Sequence, residues 1–294
     1  MVKTFLGVSI GIVAISFASI FIRFCDDVPS IMIATYRLTL SSIILLIIAK
    51  SKGIRLFSYS KRHLLIGVLG GFFLSLHFSF WISSLKLTSV ASSVVLVATN
   101  PIFVGLFSYL FFKEKQPVEL ILGIILSFSG SIIIAVGDCS FQGLTAQNPS
   151  FLLGDILAFL GAIMASGYLM VGSKLREEMD ILPYISMVYT FSAIFLLITS
   201  LSLGVSFTGY KQSSYFYMVL LAIVPQLIGH TAFNWALKHL KASMIAITIL
   251  GEPIGASILA YIIFRETIKS FQSVGIILIF LAIIIAARKA KKYL

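Results

Sequence analysis

Ten separate runs of about 20 apolar residues decide what this chain can fold into. They cover residues 5–22, 31–49, 64–85, 87–112, 120–137, 151–173, 184–204, 212–237, 242–264 and 270–287. At about 1.5 Å of rise per residue, a helix of this length crosses the roughly 30 Å apolar layer of a bilayer. No water reaches backbone N–H and C=O groups there, and a helix satisfies them within one segment. A transmembrane barrel needs strands that alternate in polarity, and these runs are continuous. Only 11% of the 294 residues are charged and the mean hydropathy is +1.06. An ordinary soluble domain carries about 25% charged residues. A soluble enzyme and a nucleic-acid-binding protein are therefore excluded, and the short connections leave no room for a soluble domain.

The net charge of +11 is then read by position. With the N-terminus inside, sixteen of the 22 Lys and Arg fall on the inner side. Five fall outside (Arg23, Lys86, Lys211, Arg265 and Lys269), and Arg37 lies within the second run. This bias predicts cytoplasmic termini, an inner loop at 50–62 and an outer loop at 138–150. The run after Lys3 reads as a span and not a cleaved leader, because no small-residue cleavage site ends it and nine more runs follow.

The chain repeats itself. Shifted by 152 residues, 85–135 and 237–287 share 15 identities in 51 positions. They include Lys86/Lys238, Pro101/Pro253, Tyr109/Tyr261, Glu114/Glu266 and Gly123/Gly275. A shift of 153 pairs His77 with His230, Phe80 with Phe233 and Tyr36 with Tyr189. Each unit holds five spans. Five is odd, so the second unit enters the membrane from the opposite side. The predicted fold is thus an all-α integral membrane protein: ten transmembrane helices as two inverted five-helix repeats around a central cavity. The units are 1–137 and 151–287, followed by a basic cytoplasmic tail, 288–294. Bundles of opposite orientation can open a shared cavity to either face in turn, which is the requirement of a transporter.

Polar residues at membrane depth carry the remaining information, because each is disfavoured there unless it is used or paired. Glu252 and Asn100 lie at the centres of the ninth and fourth spans, each followed by a proline, Pro253 and Pro101. Proline frees the carbonyl four residues back, here those of Val97 and Ile249. Symmetric helix breaks beside polar side chains mark a binding site; the alternative is that both prolines merely kink packed helices. His77 and Trp81 share a face of the third span, and His230, Asn234 and Trp235 stand similarly on the eighth. They suit the wall of a cavity for organic solutes, or a satisfied core. Arg37 is read as pairing with Asp155 in preference to binding solute, and Glu114 and Glu266 as caps of the helices that follow them. Gly7/Gly11 and Gly251/Gly255 have helix-packing spacing. The same stretch, Gly7-Val8-Ser9-Ile10-Gly11, is no hydrolase elbow, which needs a strand–turn–helix. Cys25 and Cys139 are expected as free thiols. No histidine or cysteine spacing fits a metal, and no P-loop is present, so neither metal nor cofactor is expected.

Residues 80–137 resemble the EamA-type domain of the drug/metabolite transporter superfamily. The likeness rests on a Leu-Lys turn, a small-residue run, a mid-helix Pro, a terminal Glu and a Gly in the next helix. Residues 233–287 match it again, through Ala236-Leu237-Lys238, Ala242-Ser243, Glu252-Pro253, Glu266 and Gly275. Tyr36-Arg37-Leu38 resembles the family's Arg near the start of the second helix. The first unit departs from the pattern at Trp81-Ile82-Ser83-Ser84, where the family often has a small residue before Leu-Lys. The resemblance implies a secondary transporter of small organic metabolites, such as amino acids or related solutes, in a bacterial inner membrane. It implies a cavity lined by the first, third, fourth, sixth, eighth and ninth helices, with the fifth and tenth outside. The expected partners are a small-molecule solute, the lipid bilayer and protons as coupling ion. Export of cationic drugs, with Glu252 as counter-charge, is the alternative within transport. A membrane-embedded enzyme and a structural membrane protein are the alternatives of another class.

Overall fold

The computed structural model describes residues 2–54, 59–113, 117–143, 149–267 and 270–290. Most of these residues lie in helices. In order they are α1 (Val2–Ser16), α2 (Ala18–Phe24), α3 (Ser30–Ser51), α4 (Lys61–Leu85), α5 (Val90–Val97), α6 (Asn100–Phe112), α7 (Val118–Gly143), α8 (Pro149–Glu178) and α9 (Ile181–Ser202). Then come α10 (Gln212–Leu221), a π-helical stretch (Ala222–His230), α11 (Thr231–Ala236), α12 (Ala242–Ile249), α13 (Glu252–Phe264) and α14 (Ser270–Ala290). Among the described residues, eight segments are long and apolar enough to cross a membrane. The two remaining long helices, α7 and α14, pack on each other, and the apolar windows found in them are shorter.

Four spans are interrupted. The fourth and ninth break at the expected Asn-Pro and Glu-Pro steps, where hydrogen bonds tighten to three-residue spacing: Thr99 N–H to the Leu96 carbonyl at 3.2 Å, Gly251 N–H to that of Thr248 at 3.1 Å. The two breaks are alike in detail. Both first halves have 8 residues and both second halves 13. Both second halves end on a left-handed non-glycine residue, Lys113 (φ 56°) and Arg265 (φ 57°). The other two interruptions went unpredicted. In the first span, Ser16 donates back to the Ile12 carbonyl at 2.8 Å, a bond that bends helices. In the eighth, Pro225 sits inside the π stretch, where its missing N–H shifts the ladder.

Several boundaries move. α8 runs on to Glu178, so Arg176 is a buried helical residue, not a loop cation; its Nε donates to the Asn234 carbonyl at 3.0 Å and its Nη1 to that of Met179. α7 reaches Gly143 and takes in the first part of the expected outer loop, 138–143. Glu114, the Cys139 thiol and the last residues of the tail, 291–294, lie outside the described residues. Cys25 is a buried free thiol, and burial pushes its pKa up to about 12.

Glycines let the helices touch. A Cβ on Gly255 would sit 2.2 Å from Ser16 Oγ, and one on Gly11 3.2 Å from Ala232 Cβ, consistent with packing. The tightest approach to fixed atoms is at Gly71 of α4, where a Cβ would lie 2.5 Å from Phe191 Cβ and 2.8 Å from the Ser192 nitrogen. Backbone cannot rotate away as a side chain can. Gly71→Ala is therefore expected to destabilise the α4–α9 contact by about 1–3 kcal/mol. Thermal unfolding in detergent checks this; a parent-like midpoint contradicts it.

Loops expected on one side of the membrane do meet at one end of the bundle. At one end, Lys238 pairs with Asp180 at 3.1 Å and His63 with Glu178 at 2.7 Å. At the other, Lys211 pairs with Asp26 at 2.9 Å. These are called below the Lys238 end and the Lys86 end.

Candidate functional site

The broken helices converge on a cavity in the middle of the bundle. Its walls come from α1 (Ile15), α4 (His77, Trp81), the α5–α6 break (Val97, Ala98, Asn100), α8 (Ala165, Tyr168, Leu169), the π stretch with α11 (His230, Phe233, Asn234) and the α12–α13 break (Ile249, Glu252). Counted as spans, these are the first, third, fourth, sixth, eighth and ninth. The N-termini of α6 and α13, which carry Asn100 and Glu252, therefore face the C-terminal ends of α5 and α12. Partial positive and negative helix charges meet in one apolar chamber.

Six of the ten residues singled out in the sequence line this cavity: His77, Trp81, Asn100, His230, Asn234 and Glu252. His77 Nδ1 lies 2.9 Å from the Gly161 carbonyl, which fixes that nitrogen as the donor. Its ring runs parallel to Trp81, centroids 6.0 Å apart, and stands 6.5 Å from the ring of His230. The residues paired by the repeat thus meet across the cavity. The Asn234 amide donates to the hydroxyls of Tyr168 and Tyr189, the latter at 3.2 Å. Trp81 Nε1, Asn100 Oδ1 and Asn234 Oδ1 are buried without a hydrogen-bond partner among the described residues. A buried polar atom left unpaired costs about 1–3 kcal/mol. Three of them stand in one chamber.

The other four lie off the cavity. Pro101 and Pro253 are buried in the first turns of α6 and α13, where proline fits, and shape the breaks from behind. Trp235 points away: its ring is 4.9 Å from that of His239, and it packs on α1, where a Cβ on Gly7 would meet it at 3.2 Å. Arg37 is fully buried, at 0% exposure, one layer behind the wall. It turns to Gln226 in place of Asp155: Nε donates to Gln226 Oε1 at 2.8 Å, and the guanidinium lies 4.0 Å from the centre of the Phe78 ring. Its Nη1 and Nη2 have no hydrogen-bond partner among the described residues, and it lies within electrostatic reach of Glu252.

Sequence reading missed Tyr168, Gln226 and Phe78. Pro225 was the signal for Gln226, since a mid-span proline beside an amide is the same pattern as Asn100-Pro101. Phe78 and Tyr168 carried none, because the chain has 25 Phe and 11 Tyr and most of them pack on lipid or core.

The two ends differ. At the Lys238 end a polar vestibule opens, lined by Ser108 and Phe112 of α6, Ser173, Lys174 and Glu177 of α8, and Lys238 to Ala242. α8 lines both spaces in succession, Tyr168 and Leu169 the cavity and Met170 and Ser173 the vestibule. At the Lys86 end the loops are tied together. Lys86 Nζ donates to the carbonyls of Cys25 (3.1 Å), Asp26 (3.4 Å) and Val28. Arg23 Nη2 donates to the Thr88 carbonyl at 2.8 Å. Glu266, expected to cap α14, instead accepts from the Val90 N–H at 2.9 Å and caps α5. The Lys211 ammonium, hydrogen-bonded to Asp26, holds that carboxyl below its ordinary value. This tie is therefore fully present above the usual carboxylate pKa, and is lost as pH falls through the lowered one.

A profile of the EamA-like transporter family matches residues 3–136 and again 152–288. A protein of Clostridium kluyveri described as an uncharacterized transporter is 27% identical over 206 residues, 70% of this chain and 66% of its own length. The uncharacterized transporter YxxF of Bacillus subtilis is 25% identical over 236 residues, 79% of this chain and 73% of its own. The chain thus spans 66% and 73% of the length of these two relatives. A solved crystal structure shares the fold, with a TM-score of 0.75 and 16% identity, covering 100% of this chain and 99% of the other.

Proposed function

The chain belongs to the EamA-like transporter family, and on that premise we propose that it is a secondary transporter of small organic metabolites, such as amino acids and related solutes, working by alternating access. It is an integral membrane protein, with eight segments among the described residues long and apolar enough to span. The reading adds α7 and α14 to make ten, grouped as inverted units 1–137 and 151–287, with both termini in the cytoplasm of a bacterial cell. The single observation that carries it is the central cavity. It sits where two helices break at proline, it holds unpaired buried polar atoms, and it lies next to a vestibule at one end while the other end is tied. In this reading the solute lies between the His77–Trp81 face, Asn100 and Asn234. Glu252 exchanges a proton as the cavity fills.

Transport is tested in proteoliposomes carrying the purified protein, with a panel of labelled amino acids, amines and organic acids. Saturable uptake of at least one class, absent from empty liposomes, is the expected result. Uptake of none, across both polarities of pH gradient, argues for a structural membrane protein.

Orientation has its own test. In a background with Cys25→Ser and Cys139→Ser, an impermeant thiol reagent on whole cells is expected to label Thr208→Cys, on the loop at the Lys86 end, and not Ser51→Cys at the other. The reverse pattern inverts the topology.

A further inference from the structure

We propose that the Glu266 carboxylate is the latch that holds the Lys86 end shut, by capping a helix of the other repeat. The inference rests on the alternating-access reading above. α5 and α13 come from different repeats and touch each other, as do α6 and α12. Under the 152-residue shift, α5 corresponds to α12 and α6 to α13, so the two contacts are images of one another. They lie at opposite ends of the bundle, because α13 runs from the cavity to the Lys86 end and α6 from the cavity to the Lys238 end. In the structure they are unlike. The α6–α12 pair contributes Ser108, Phe112 and Ala242 to the walls of the open vestibule. The α5–α13 pair is joined by the hydrogen bond from Val90 N–H to Glu266 Oε1, 2.9 Å long and bridging 176 residues of sequence.

The bond is well placed to act as a fastening. Val90 is the first residue of α5, so its N–H has no partner within the helix. The Ser89 hydroxyl accepts from Ser92 N–H at 3.0 Å and leaves the first turn's other donors open. A carboxylate at this terminus also meets the positive end of the helix dipole. Both helices reach the cavity at their other ends, α5 beside Ala98 and α13 through Glu252. Separating them at the Lys86 end would open the chamber there, and it cannot happen while the bond stands.

The test deletes the bond from each side. Glu266→Ala removes the acceptor. Val90→Pro removes the donor at a first helical position, where proline is tolerated; the preceding residue, Ser89, already has the extended backbone (φ −66°, ψ 155°) that proline requires. Glu266→Gln keeps an acceptor oxygen. Spin labels are placed on exposed positions of α8 and α13, Leu152 and Ile262, and the distance between them is measured by pulsed electron resonance in nanodiscs, with no solute. Glu266→Ala and Val90→Pro are each expected to raise the population of a longer distance about tenfold, the low end for a hydrogen bond to a charged group. The double variant should go no further than either, and Glu266→Gln, which keeps an acceptor but loses the charge, should fall between the parent and Glu266→Ala. Parent-like distances in both deletions overturn the latch, as does a shift in one of them alone or a fully additive double. Unchanged distances in a protein that still transports count against the latch only. A shifted distance in a protein that transports nothing counts against the transport reading only.

Discussion

Glu252→Gln is expected to reach the membrane at normal yield and to lose transport. The carboxyl lies at the first residue of α13, 9% exposed, on the wall of the cavity. An ionised group at the bilayer centre is disfavoured by about 2.5–3.5 kcal/mol on insertion scales. What offsets this here is the N-terminus of α13 and the nearby guanidinium of Arg37. Glutamine keeps the shape and can still hydrogen-bond, but it can neither carry charge nor exchange a proton. Uptake should fall by at least about tenfold, the scale set by one charge-assisted hydrogen bond. Whatever transport remains should no longer respond to a pH gradient. If the carboxyl serves only to bond a carbonyl freed by Pro253, the glutamine protein should be nearly silent, and Glu252→Leu should lower the folded yield. Full pH-dependent transport by Glu252→Gln contradicts the functional role.

Arg37→Met is expected to have the second largest effect, through stability as well as transport. The substitution keeps most of the apolar stem and deletes a guanidinium that is fully buried, bonded to Gln226 and stacked on Phe78. Phe78 in turn contacts His230, ring centroids 5.3 Å apart, so Arg37 positions the cavity wall without lining it. Removing the guanidinium leaves Gln226 Oε1 buried without its donor, a loss of about 1–3 kcal/mol. It also removes the positive charge within electrostatic reach of Glu252. The double variant Arg37→Met/Glu252→Gln should therefore be more stable than the sum of the single losses implies, and a double-mutant cycle on thermal unfolding measures this. Additive losses would show that the two groups act independently.

The sequence displays some of this architecture openly and hides the rest, for physical reasons. Apolar length marks the spans because lipid selects for little else. The breaks at Pro101 and Pro253 are legible because proline lacks a donor wherever it stands. Glu252 and Asn100 stand out because polar atoms are rare at the centre of a span. The residues that were misplaced depend on rotation about a helix axis, which spacing does not give. Trp235 and Asn234 are neighbours in sequence, yet Asn234 faces the cavity and Trp235 faces α1. Arg37 finds Gln226, 189 residues away, through the π stretch, whose extra residue per turn no periodicity reveals. Glu266 was expected to act on the next helix because local capping is the commoner use of a terminal carboxylate. Its real partner belongs to the other repeat, and only the folded chain brings the two together.

Solute counterflow tests the central claim most directly. Proteoliposomes are loaded with a high concentration of the unlabelled solute that gives uptake, then diluted into a trace of the same solute carrying label. A carrier that exposes one cavity to each side in turn exchanges inner solute for outer. The expected result is that label accumulates transiently above its final equilibrium level, and that Glu252→Gln liposomes show no such overshoot. Label that only rises to equilibrium, with no overshoot in the parent protein, would mean an open pore or leak and would contradict alternating access.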